Sequence, residues 1–135
     1  NSMFSHCYHL KKVTFGKVGI VGNAAFHSCK ALTQVDLRGS VVRQIGEAAF
    51  ASCTALTKVF LPASVEKIDD LVFGYCRSLQ SITIDALNPP TLTGDIFFGL
   101  SADQIPNIYV PAISVSDYKK AAFWSTYAAK IHPKP

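Results

Sequence analysis

The sequence has few charged residues, little methionine or tryptophan, and no long apolar run. Charged residues make up 16% of its 135 residues and hydrophobic ones 49%, whereas ordinary proteins carry roughly 25% charged residues. This apolar content excludes general disorder, because burying such side chains offsets the entropy of ordering the chain. The longest uncharged apolar stretch, 18–26, is shorter than the roughly 18 to 20 residues that cross a bilayer. We therefore predict one globular domain that does not span a membrane.

Positive charge is not concentrated in any part of the chain. There are 13 Lys and Arg residues against 9 Asp and Glu, a net charge of +4, and the adjacent basic pairs are Lys11-Lys12 and Lys119-Lys120. Nucleic-acid-binding domains group their basic residues on one face, so nucleic acid is not an expected partner. The basic and apolar segments of a signal peptide are also missing from the start of this sequence.

Sequence motifs of catalysis are lacking. There is no G-x-S-x-G nucleophile elbow, no H-E-x-x-H helix and no phosphate-binding loop. The adjoining carboxylates Asp69 and Asp70 are neighbours in the chain, whereas paired-acid chemistry needs two carboxylates facing each other across a cleft. We predict a protein that is not an enzyme and that uses no cofactor.

What the sequence does contain is a repeat of about 23 residues. Phenylalanine recurs at intervals of 22, 24 and 23 residues, and cysteine, leucine and two further apolar positions keep the same intervals. The five columns are Phe4, Phe26, Phe50 and Phe73; Cys7, Cys29, Cys53 and Cys76; Leu10, Leu32, Leu56 and Leu79; Val13, Val35, Val59 and Ile82; and Phe15, Leu37, Leu61 and Ile84. Fixed self-similarity at such a period is the signature of a stacked repeat protein.

Each repeat shows two apolar spacings. From Phe to Leu the spacing is three, which predicts a short helical or 3₁₀ segment with one buried face. From Val to the last apolar position the spacing is two, which predicts a strand with alternate side chains inward. Because one such unit cannot bury its own apolar face, we predict an α/β solenoid of about five repeats with a parallel sheet.

The end of the chain departs from the repeat. A degenerate fifth repeat is predicted over 88–113, where Ile105, Ile108 and Val110 keep the strand pattern but no cysteine occupies its column. From 114 to 135 the apolar spacing becomes helical, and Ser114 with Asp117 resembles a capping box. We predict that 1–113 form the repeats and that 114–135 form a C-terminal helical cap.

The four cysteines share one column, so they are predicted to be free thiols inside the coil. On this prediction, serine in place of Cys53 would put a hydroxyl where it has no partner. His6, His9 and His27 stand near Cys7 and Cys29 in the sequence, and imidazoles with thiols can bind zinc. In the repeat register the cysteines lie on the core side and the histidines on flanking faces, so no metal site is expected.

The repeat resembles a known family. The pattern L-x-x-V-x-L is similar to the leucine-rich repeat, and the stretches 45–53 (IGEAAFASC) and 61–65 (LPASV) look like the BspA-type leucine-rich repeat of bacterial surface proteins. The resemblance implies a secreted or cell-surface location and an adhesion-type module. The implied partner is a host or bacterial surface protein or a glycan.

The outward side chains of the strands form the candidate binding site on the concave face, since solenoids bind partners there. Phe60 is the large aromatic of an otherwise polar column, and aromatic and Arg side chains are enriched at binding hot spots. The alternative is that Phe60 only leans on neighbouring strand side chains and that the chain is a structural spacer. The candidate residues are Lys12, Gln34, Asp36, Arg38, Lys58 and Phe60.

The first repeat, 4–15, has a complete set of core residues with nothing before it to cover them. We expect further repeats ahead of Asn1 in the natural protein, so that this chain is the C-terminal part of a longer solenoid. An uncovered strand edge pairs readily with another chain. We therefore expect the isolated fragment to fray or self-associate at this edge.

Overall fold

The computed structural model describes residues 4–14 and 17–135. Phe15, a predicted core residue of the first repeat, lies outside the described residues, and the side chain of Thr14 is not described. One α-helix, α1 (Val115–Lys120), accompanies 3₁₀ helices at Ala102–Gln104, Ala112–Ser114 and Trp124–Lys130. The strands of the described residues are β1 (Lys12–Thr14), β2 (Ile20–Val21), β3 (Gln34–Asp36), β4 (Gln44–Ile45), β5 (Lys58–Leu61), β6 (Lys67–Ile68), β7 (Ser81–Ile84), β8 (Thr91–Leu92), β9 (Asn107–Val110) and β10 (Ile131–Pro133).

These strands form two parallel sheets, one on each side of the solenoid core. The larger sheet has the order β1-β3-β5-β7-β9-β10 and the smaller one β2-β4-β6-β8. The register pairs each inward apolar residue with its equivalent in the next repeat, as in Val35 with Val59 and Val59 with Ile82. The α/β repeat solenoid with a parallel sheet is confirmed. The strands of the smaller sheet come later in each repeat than those of the larger sheet, and their paired residues Ile45 and Ile68 are buried.

The segment between Phe and Leu is a series of turns, so the prediction of a helical or 3₁₀ segment there is wrong. Its alternate N–H groups bond to the next repeat rather than within a helix: the Phe26 N–H donates to the Ala49 carbonyl at 2.8 Å and the Phe50 N–H to the Val72 carbonyl at 3.0 Å. Residues with a left-handed backbone conformation (positive φ) recur at two positions of the repeat. The first position is occupied by Ala24, Ala48 and Leu71, and the second by His6, Ser28, Ser52, Tyr75 and Gly99.

The phenylalanines form one continuous stack along the solenoid. The ring centroids are 5.2, 5.3 and 6.0 Å apart from Phe4 through Phe26 and Phe50 to Phe73. The stack continues to Phe97 at 6.2 Å, a member that the sequence analysis missed. The repeat predicts that all four phenylalanines lie on the buried face, but Phe4 is 44% exposed, and among the described residues only Phe26 stacks on its ring.

The cysteines are free thiols, and each buried one is hydrogen-bonded to the repeat before it. The Cys53 thiol donates to the Phe26 carbonyl at 3.2 Å, and the Cys76 thiol donates to the Phe50 carbonyl at 3.1 Å. Burial raises the pKa of Cys76 to about 12 and also raises that of Cys53. Cys7 is only half-buried. A side-chain donor at position 53 therefore has a partner, contrary to the prediction from sequence.

This bond changes the result expected for Cys53→Ser. We expect the serine variant to be more stable than Cys53→Ala by about 1 kcal/mol, because its hydroxyl can keep a hydrogen bond to the Phe26 carbonyl. Chemical denaturation of the two variants beside the wild-type protein measures the difference. A serine variant no more stable than the alanine variant would show that the thiol contributes by packing alone.

The C-terminal segment packs against the preceding residues and consists of α1, a 3₁₀ helix and β10, a strand that the sequence does not predict. β10 pairs in parallel with β9. The predicted capping box is not formed: the Ser114 hydroxyl accepts no hydrogen bond from the N–H groups of α1, and it donates to the Leu87 carbonyl at 2.6 Å. The Tyr118 hydroxyl donates to the Ala86 carbonyl at 2.6 Å. Side chains of the cap thus donate hydrogen bonds to backbone carbonyls of the irregular segment between β7 and β8.

Candidate functional site

The outward side chains of the larger sheet lie in columns across its strands. Lys12, Gln34 and Lys58 are paired in register from β1 to β5. Asp36 stands opposite Phe60 in the next column. Because neighbouring strands are about 4.8 Å apart, these predicted residues share one continuous surface, here called the strand face.

Asp36, Arg38 and Phe60 form a tight cluster on this face. Arg38 donates hydrogen bonds to the Asp36 carboxylate from Nε at 2.9 Å and from Nη2 at 2.7 Å. Its backbone N–H donates to the same carboxylate at 3.1 Å. The guanidinium carbon lies 4.0 Å from the centre of the Phe60 ring. The hydrogen bond from Arg38 lowers the pKa of Asp36, so the carboxylate stays ionised. These two parallel hydrogen bonds to the carboxylate hold the plane of the guanidinium over the Phe60 ring.

The remaining predicted residues surround this cluster less tightly. Lys12 and Lys58 are exposed, and neither forms an ion pair with any residue that the structure describes. Gln34 is half-buried between them. The strand face therefore offers two free ammonium groups beside a neutral Asp36–Arg38 pair.

The aromatic character of the face continues beyond the predicted residues. The column of Asp36 and Phe60 runs on through Thr83 to Tyr109 and then to His132. The Tyr109 and His132 rings are 5.6 Å apart. The register of the degenerate fifth repeat could have revealed Tyr109, since it lies between the inward Ile108 and Val110. His132 lies on β10, which follows no repeat pattern.

The histidines of the first two repeats lie closer together than the sequence suggested. The His6 and His27 rings are 5.8 Å apart, and Nδ1 of His27 is 2.9 Å from the Ser28 hydroxyl. Within residues 4–14 and 17–135, no group of three or more His, Cys, Asp or Glu side chains is placed to hold a metal ion. His6 and His27 are therefore two imidazole rings in contact with each other.

This pair predicts a loss of stability in mild acid. Burial lowers the pKa of His27, and the adjacent His6 and Lys30 add to the effect. The unfolded chain then binds the proton more strongly than the folded one, so the free energy of unfolding falls as the pH decreases through about 6.5. We expect His27→Asn to flatten this slope between about pH 8 and pH 5. His9→Asn, at an exposed histidine, is the control, and equal flattening by both variants would contradict the assignment.

Comparison with known sequences and structures agrees with this architecture. The sequence profile described as BspA type Leucine rich repeat region matches residues 1–130 in six copies. The chain belongs to the BspA-type leucine-rich repeat family. Six copies, where the sequence analysis predicts about five repeats, equal the number of strands in the larger sheet. Comparison with curated protein sequences gives no match.

One solved relative of this BspA-type chain is a leucine-rich repeat protein from Bacteroides ovatus ATCC 8483. The two chains are 30% identical with a TM-score of 0.70, and the match covers 99% of this chain and 33% of the other. This chain thus spans about a third of the length of that protein. Among the described residues, no helix is long and apolar enough to cross a membrane.

Proposed function

We propose that this BspA-type chain is a non-catalytic binding module that recognises a partner through the strand face. The observation that carries the proposal is the Asp36–Arg38–Phe60 cluster. An arginine held flat against an aromatic ring loses little conformational freedom when it docks, so more of its contact energy remains as affinity. Arg and aromatic side chains are also the residue types that dominate binding hot spots.

The chemistry of the face favours a protein partner with an acidic patch. Lys12 and Lys58 supply two unpaired positive charges, whereas the charges of Asp36 and Arg38 offset each other. Unpaired cations at the edge of an interface steer acidic partners toward it. A long polyanion is disfavoured, because the positive charge is not spread over the whole surface. A glycan remains the other class of partner implied by the family.

The proposed setting is the cell surface or the extracellular space, in keeping with a family that is typically surface-associated. The alternative function is a structural spacer whose strand face binds nothing. One feature favours the alternative: Arg38 already satisfies Asp36 and covers the Phe60 ring within the chain itself. Binding measurements on variants of the cluster decide between the two.

The decisive variant is Phe60→Ala. We expect it to weaken binding by about 2 kcal/mol or more, because the ring that supports Arg38 is lost, while stability changes much less. Affinity is measured against a panel of purified host matrix proteins and bacterial surface proteins. Tyr75→Ala removes another exposed aromatic, 48% accessible and away from the larger sheet, and serves as the control.

The outcomes separate the two functions. Loss of binding by the Phe60 variant, with the Tyr75 variant unchanged, supports the strand face as the site. No binding to any member of the panel supports the spacer. A large drop in the denaturation midpoint of the Phe60 variant would show that the ring is structural.

A further inference from the structure

A cleft of about 600 Å³ lies between the fifth repeat and the C-terminal cap, within the volume range of small-ligand sites. Its walls include Phe97, the last ring of the phenylalanine stack, with Leu100 and Ile105 beside it. Tyr127 and Phe123 contribute from the cap side. None of these residues belongs to the strand-face site.

Phe123 stands at this cleft in an unfavourable backbone conformation. Its φ is 67° and its ψ is −39°, a backbone conformation that is strained for a residue other than glycine. The ring is 46% exposed, whereas the next residue, Trp124, is buried. Core packing therefore does not require an aromatic side chain at position 123. Strain of this kind concentrates at ligand sites.

The cleft also contains two charged groups of opposite sign with unused hydrogen-bonding capacity. Oδ1 of Asp95 accepts hydrogen bonds from the Tyr127 hydroxyl at 2.5 Å and the Phe97 N–H at 3.0 Å. Oδ2 of Asp95 has no hydrogen-bond partner among the described residues. Lys130 lines the same cleft and forms no ion pair with any residue that the structure describes. The lining of the cleft thus includes the exposed carboxylate of Asp95 and the half-buried side chain of Lys130 beside its apolar residues.

This combination selects among classes of ligand. An anion would be attracted by Lys130 but repelled by Asp95. A cation would be attracted by Asp95 but repelled by Lys130. A purely apolar side chain would desolvate both charges without returning hydrogen bonds, which is costly. A sugar ring carries no charge, its hydroxyls both donate and accept, and its C–H face can pack on an aromatic ring. Of these four classes of ligand, only an uncharged sugar avoids both charge repulsion and the desolvation of charged groups without new hydrogen bonds.

We propose that the cleft formed by Asp95, Phe97, Phe123, Tyr127 and Lys130 binds one neutral sugar unit of a glycan. Phe123 packs on the apolar face of the ring, while Asp95 accepts from one hydroxyl and Lys130 donates to another. The site does not depend on the proposed strand-face function. A chain with both sites holds a protein partner on its sheet and a glycan end at its cap.

The test is a titration of the whole chain with neutral monosaccharides, namely the methyl glycosides of glucose, galactose, mannose and N-acetylglucosamine. Two-dimensional NMR follows the amide signals. We expect at least one sugar to bind at millimolar concentration and to shift the signals of Phe97 and Tyr127. Phe123→Ala should weaken this binding about tenfold, without lowering the thermal midpoint. Phe98→Ala is the matched control, because this ring is 47% exposed and outside the cleft.

Several results would overturn the proposal. One is the absence of binding by every sugar of the panel, and another is signal shifts confined to the strand face. Equal weakening by the Phe123 and Phe98 variants would also contradict it. Free leucine and N-acetyl-leucine amide are titrated in parallel. Tighter binding of either one would assign the cleft to a peptide instead.

Discussion

Phe50→Ala is expected to lower the free energy of unfolding by about 3–5 kcal/mol. The Phe50 ring has no exposed surface and stacks between Phe26 at 5.3 Å and Phe73 at 6.0 Å. Its removal leaves a cavity in the middle of the stack that neighbouring rings cannot close, because their backbones are fixed by hydrogen bonds between repeats. Urea denaturation of the variant and the wild-type protein measures the loss.

Phe4→Ala is the matched control, since it removes the same side chain from the end of the same column. Phe4 is 44% exposed and has one stacking neighbour within the part of the chain that the structure describes, so its removal is expected to cost less than about 1.5 kcal/mol. Because each repeat contacts only its neighbours, the Phe50 cavity also weakens the coupling between the two halves of the solenoid. Similar losses for the two variants would contradict a stack whose stability comes from burial.

The repeating part of the fold could be predicted from the sequence because the apolar residues that form its core recur at a regular interval. The inward residues of each strand, such as Val35 and Val59, recur at one interval and pack on each other directly. The turn segment was mispredicted because a spacing of three suits a 3₁₀ segment and a series of turns equally well. Left-handed φ is most often signalled by glycine, but Ala48 and Ser52 adopt it here.

Part of the strand face also follows from the register. Asp36 is the last residue of β3 and Arg38 follows it by two positions, and because side chains alternate along an extended chain, this spacing places them on the same side. The position of the guanidinium over Phe60 depends on side-chain rotamers, which no spacing in the sequence encodes. The cleft at the cap was not foreseen, because it is formed where the repeat ends. Its walls come from segments with no register to one another, including a 3₁₀ helix with a kink at Tyr127.

Trp124→Ala is expected to lower the free energy of unfolding by about 3–5 kcal/mol, although it lies outside the repeats. The indole is 1% exposed and packs edge-on against Tyr118 at 5.4 Å. Its Nε1–H donates to the Pro90 carbonyl at 2.8 Å, so one side chain joins the cap to the segment between β7 and β8. Loss of the indole therefore weakens the docking of the whole cap as well as creating a cavity.

Two further variants separate these contributions. Trp124→Phe keeps most of the buried ring but removes the donor, and we expect it to cost about 1–3 kcal/mol because the Pro90 carbonyl loses this partner. Phe123→Ala changes the exposed neighbour and is expected to leave stability nearly unchanged. Hydrogen exchange adds a local measurement: in Trp124→Ala, the amides of β10 should lose protection before those of β5. Uniform loss of protection along the larger sheet would instead show that the cap and the repeats unfold as one cooperative unit.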